Sequence, residues 1–220
     1  MIRKSTLKFL KSLKRNNNRE WFNKNKHLYE DAKKDFEIFV EELIHKLSDF
    51  DPTLIGLQAK DCTFRIYKDI RFSKDKTPYK TNMGAAINEG GRKMPIPGYY
   101  FHLQPGDCFL AGGLYMPVPE RLLAVRKAVA SSNGKFRKIL NSKDYKKYWQ
   151  LWEDKLKTAP KGFPKDHPDV ELLKYKSFIA FHNISDELVL SPKLMDYSIK
   201  AFKTLKPLIE FLKEANSTLH

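Results

Sequence analysis

Cysteine is scarce in this chain: Cys62 and Cys108 are the only two in 220 residues. So few thiols exclude a disulfide scaffold. Each lies in an apolar, strand-like run, where a thiol is expected reduced and buried. Long hydrophobic runs are missing too. No window approaches the ~18 apolar residues of a membrane span, and Met1-Ile2-Arg3-Lys4-Ser5 is not followed by the apolar core of a secretory signal. The expectation is a soluble cytoplasmic protein with no membrane partner. The histidines show no His-x-x-x-His spacing and the cysteines no Cys-x-x-Cys, so no metal site is expected. Walker A, Gly-x-Gly-x-x-Gly and Gly-x-Ser-x-Gly patterns are all absent, which removes the P-loop, dinucleotide-fold and nucleophile-elbow readings. There is no internal repeat and no low-complexity segment.

What the chain has in excess is positive charge. Lys and Arg number 41 against 26 Asp and Glu, a net +15. The lysines are spread from Lys4 to Lys213 rather than gathered in a tail. Such an excess favours anionic partners and says nothing of fold. Apolar residues at 41% and aromatics at 13% mark a folded chain. The length suits one domain over residues 1–220, with its weakest joint near 117–119, at Pro117-Val118-Pro119.

Periodicity predicts an α+β fold. Leu7, Leu10 and Leu13 share one face of a short helix over Thr6 to Leu13. Asn17 then caps a long helix to Leu47, with Glu20 as its capping-box partner and Phe22, Tyr29, Phe36, Phe39, Val40, Leu43, Ile44 and Leu47 as its apolar stripe. A strand-rich block follows: Cys62–Phe72, Met83–Asn88, Tyr99–Gln104 and Cys108–Met116, with Pro105-Gly106-Asp107 as a turn. Gly112-Gly113 marks a bulge or a close backbone approach. Glu120–Ala130, Lys135–Leu140 and Asp144–Leu156 read as helices and Ser177–Ile184 as a further strand. Ser191 and Pro192 open a final helix striped by Met195, Ile199, Phe202, Leu205, Ile209 and Leu212, which Pro207 should kink or break. The simplest assembly is an antiparallel meander packed against long N- and C-terminal helices.

The chemistry concentrates in Arg65–Thr81. Phe64, Ile66, Ile70 and Phe72 share one strand parity, with Lys68 the exception; Arg65, Tyr67, Asp69 and Arg71 share the other. Guanidinium forks match carboxylate or phosphate in two bonds. Lys74, Lys76 and Lys80 add point charges, Ser73, Thr77 and Thr81 hydroxyls. His102 lies on the polar parity of its strand with Tyr100 and Gln104, and beside arginines it would tend to be neutral and able to act as a base.

Several of these residues carry a resemblance. Asn18-Arg19-Glu20-Trp21-Phe22, the run Arg65 to Thr81, Gly98-Tyr99-Tyr100-Phe101-His102-Leu103, and Gly112-Gly113 before Tyr115-Met116-Pro117 resemble the family catalogued as domain of unknown function 2461, from about Leu7 to Leu212. It departs at Met116, where the family more often has tryptophan before the proline. The resemblance implies a single full-length domain and makes Arg65–Thr81 the hallmark segment; it implies no activity, no cofactor and no catalytic residues.

The reading is therefore a pocket for a phosphorylated or carboxylated small molecule. Arg65, Tyr67, Asp69, Arg71, Lys76 and Lys80 would line it, with His102 and Tyr79 as candidates for proton transfer if it is an enzyme. A nucleic-acid-binding module, or a partner docked through the basic loop, is the alternative. The pattern names no cofactor.

Overall fold

The computed structural model describes residues 1–217. Its helices are α1 (Lys4–Arg15), α2 (Arg19–Lys24), α3 (Lys26–Ser48), α4 (Ala59–Cys62), α5 (Pro119–Ser131), α6 (Lys135–Asn141), α7 (Lys143–Tyr148), α8 (Val170–Leu173), α9 (Asp186–Val189) and α10 (Leu194–Asn216). Its strands are β1 (Met83–Ile87), β2 (Gly98–Leu103), β3 (Cys108–Leu114), β4 (Gln150–Leu151) and β5 (Phe178–Ile184). They form one open antiparallel sheet in the order β1-β2-β3-β5-β4, so the fold is α+β. β1 to β3 make the expected meander; β5 returns to lie beside β3, with β4 on the far edge. Among the described residues no helix is long and apolar enough to cross a membrane.

The chain divides into two compact units. The first holds Met1–Met94, Tyr100–Leu110 and Asn183–Lys200; the second holds Pro95–Tyr99, Ala111–His182 and the chain from Ala201 on. Residues 117–119 lie inside the second unit.

In the first unit, α3 buries Phe36, Phe39, Val40, Leu43, Ile44 and Leu47 of the stripe its spacing predicts, while Tyr29 is half-buried and Phe22 is buried from α2. Phe39 and Phe36 meet Phe101 of β2 at 4.7 and 6.1 Å between ring centroids. α1 packs beside α3 with Leu7, Phe9, Leu10 and Leu13 inward. The long predicted helix is interrupted at Asn25, whose side-chain amide donates to the Trp21 carbonyl at 2.8 Å and closes α2. The cap of α2 is Asn18 rather than Asn17: Asn18 Oδ1 accepts from Trp21 N at 2.9 Å.

In the second unit, α10 sets Phe202 against Tyr99, 5.2 Å between centroids, and continues through Pro207. Leu205 and Ile209 cover Gly112. The predicted helix over Asp144–Leu156 stops at Tyr148. Trp149 instead sends Nε1 to Thr204 Oγ1 at 2.9 Å, and Gln150 and Leu151 pair with Phe181 and Ala180 as β4.

A second correction falls on Cys62–Phe72, which is not a strand. Cys62 ends α4, and the rest is irregular apart from single antiparallel bridges, Thr63 to Ala85 and Tyr67 to Tyr79. Of the four apolar residues on one parity, Ile66 is buried at 2% exposure while Phe72 is 96% exposed.

Candidate functional site: a basic hairpin

Residues 66–80 form an irregular hairpin inside the first unit. Lys68 N donates to the Pro78 carbonyl at 2.9 Å and Lys80 N to the Ile66 carbonyl at 2.8 Å. Those rungs close the stem. Ladder pairing stops there because the side chains of the tip claim its backbone. Asp69 Oδ1 accepts from Arg71 N at 3.2 Å, and Asp75 Oδ1 from Thr77 N at 2.9 Å, both local turns that compete with strand pairing.

The stem is anchored by rings and by one amide. Tyr79 is buried and stacks on Phe22 of α2 at 4.0 Å with 15° between planes; Tyr67, about half exposed, leans on both. Asn17 grips the Tyr79 backbone twice, Nδ2 donating to its carbonyl at 2.9 Å and Oδ1 accepting from its N–H at 3.1 Å. The sequence pattern points to Asn17 as a helix cap; the Asn16-Asn17-Asn18 run gives each the same local signal, and only the three-dimensional placement separates their partners.

At the tip, carboxylates and cations pair. Arg71 forks onto Asp69 with Nε at 3.0 Å and Nη2 at 2.7 Å, leaving its Nη1 side to solvent. The hydrogen bond from Arg71 pulls the Asp69 carboxyl down to about 2. Lys68 bonds Asp75 and reaches Thr77 Oγ1 at 3.3 Å, and that lysine bond holds the Asp75 carboxyl well below the usual range. Lys76 Nζ donates to the Ile70 carbonyl at 3.0 Å. Arg65 is exposed and has no carboxylate partner among the described residues. Lys80 Nζ sits 5.4 Å from the Phe64 ring centre, and partial burial, then the Arg65 charge, lower its pKa.

Among the sequence-predicted site residues, the structure gathers Arg65, Tyr67, Asp69, Arg71, Lys76 and Lys80 on this hairpin and its approach. Of the two candidates for proton transfer, it keeps Tyr79 buried in the stem of the same hairpin and places His102 outside the hairpin, on β2. His102 is buried, with Nδ1 3.0 Å from Tyr100 Oη and its ring stacked on Phe109 at 4.4 Å; burial lowers its pKa. It shares no contact with Arg65 or Arg71. Tyr79 is the stem anchor, and burial raises its phenol. Strand parity puts Phe64 and Phe72 on a core face, but the structure exposes both rings, at 40% and 96%. The Arg71 guanidinium lies 6.0 Å from the Phe72 ring centre.

What fold and hairpin define is an α+β protein presenting cations and aromatic rings together on an open segment. The family model described as conserved hypothetical protein (DUF2461) matches residues 5–211, and the chain belongs to that family. No curated protein and no solved structure matches the chain.

Proposed function

We propose that the hairpin binds a nucleotide unit, its phosphate held by Arg65, Arg71 and Lys76 and its base stacked on an exposed ring. The observation that carries this is the pairing of Phe72, almost fully exposed, with the Arg71 guanidinium beside it. An aromatic ring left in water costs free energy unless it is used, and a ring among cations suits a ligand with a flat face and a negative charge. Arg71 already shows how it receives a planar anion: Asp69 fills one edge of the fork, and the Nη1 edge remains for phosphate. The surface is open, so binding is of modest strength, Kd about millimolar for a single unit. His102 and Tyr79, being buried, lie outside the contact set of this reading.

Calorimetric titration with AMP, ribose 5-phosphate and inorganic phosphate tests it. AMP should bind best, by about tenfold, because base stacking contributes roughly 1–3 kcal/mol. Phe72→Ala should erase that preference and Arg71→Ala should weaken all three ligands. Equal binding of AMP and phosphate, or no change in either variant, overturns the proposal.

A further inference from the structure

A second basic feature lies in α1. Lys4, Lys8, Lys11 and Arg15 are all exposed and follow one another at offsets of four, three and four. At 3.6 residues per turn they fall within about 60° of arc and span about 16 Å of helix axis. α1 carries no acidic residue, and Leu7, Phe9, Leu10 and Leu13 on its other side are buried. Lys4, Lys8 and Arg15 have no carboxylate partner among the described residues; Lys11 Nζ lies 3.5 Å from Asp186 Oδ2. Beside the row is a hollow of about 440 Å³ whose far wall is Asp186, Glu187 and Leu190. Those carboxylates repel an anion entering the hollow, and Asp186 offsets part of the Lys11 charge, which leaves Lys4, Lys8 and Arg15 as the unneutralised cations of the row. Asp186 is moreover engaged by Gly106 N at 2.9 Å as well as by Lys11.

The C-terminal end of the row lies near the hairpin stem. Arg15 is two residues before Asn17, whose side chain holds the Tyr79 backbone in the hairpin stem. We infer that α1 is a track for the phosphodiester backbone of a single nucleic-acid strand, continuing into the hairpin and indifferent to sequence. The inference rests on the nucleotide reading for its hairpin end and on α1 for the rest. Lysines are point charges that neutralise phosphates without reading bases. A line of charges suits a linear polyanion. A membrane surface is the weaker fit, because α1 has already committed its apolar side to the core and has nothing to insert.

The test is fluorescence anisotropy of a labelled oligothymidylate against the full chain across a salt series. Compared are wild type, Lys4→Gln/Lys8→Gln, and the charge-matched control Lys127→Gln/Lys138→Gln, whose lysines are exposed in the second unit. Removing two phosphate contacts should cut affinity about tenfold at low salt and flatten the log–log salt slope by about 1.4, at ~0.7 per contact for single strands. The control should bind within about twofold of wild type. Equal losses in both double variants, or none in either, overturn the track. So does binding to phosphatidylserine–phosphatidylcholine vesicles with none to the oligonucleotide. AMP titrated onto the wild-type chain reports on the hairpin separately: its failure, with row-dependent strand binding intact, removes the nucleotide reading and leaves the track.

Discussion

At Gly113 there is room for hydrogen and nothing larger. Its φ of +129° lies where side chains are strained, and a Cβ there would stand 2.0 Å from the Phe178 carbonyl oxygen. Gly106 has φ +80° but open space around it, so it shares the strain and lacks the clash. Gly106→Ala should therefore cost about 1–2 kcal/mol from backbone conformation alone, while Gly113→Ala should cost more than that sum because β3 must move off β5. Urea midpoints at unchanged slope give both numbers. Equal costs at the two positions would show that β3 shifts freely. The Gly-Gly pair was legible in the sequence as a bulge or a close approach, the two usual reasons for glycine inside an apolar strand, and the structure shows the close approach. Which backbone approaches it was not legible, since Phe178 is distant in sequence.

The elements divide by how locally they are determined. α3 and α10 follow their apolar spacing because a long stripe needs only one partner surface. The Cys62–Phe72 alternation failed because parity shows which residues could face a core, not whether a neighbouring strand is present. Asp69 and Asp75 bond the backbone two residues on and end the pairing after the stem. The same charges that mark the segment as a site thus keep it from being a strand, and so leave Phe72 in solvent. Asn17 supplies the hydrogen bonds that hold the hairpin to the body, beside the stack of Tyr79 on Phe22. Asn17→Ala strands the N–H and C=O of Tyr79, a cost of about 1–3 kcal/mol when such groups lack partners. The stack of Tyr79 on Phe22 would remain. The expected outcome is a stable chain with a loosened hairpin: faster hydrogen exchange at Lys68 N and Lys80 N with α3 amides unchanged. Uniform acceleration across both would mean that the hairpin and α3 open as one unit.

For the whole molecule, the division into two units had no mark in composition, and the topology shows why. β2, β3, β5 and α10 each begin in one unit and end in the other, so these four crossings fall inside regular elements, where composition marks no linker. Net charge was legible, and with the buried His102 and the half-buried His182 it sets the response to acid. Burial lowers the pKa of both His102 and His182. In the unfolded chain such imidazoles titrate near 6.5. Below that pH the unfolded state takes up protons that the native state refuses, so the histidine contribution is fully present above about pH 6.5 and is lost as pH falls toward the folded values. The tip carboxylates have the same sign but a lower window. Asp69, held near 2, matters only once pH drops below its ordinary value of about 4. A melting series from pH 8 to pH 5 therefore isolates the histidines: Tm should be flat down to about 6.5 and fall below it. His102→Phe keeps a ring against Phe109 and removes one titrating group, so its curve should fall less steeply than wild type over the same range. Parallel curves for the two proteins would show that the imidazole at 102 takes up its proton equally in folded and unfolded chains, and that its packing against Phe109 opens readily enough to admit water.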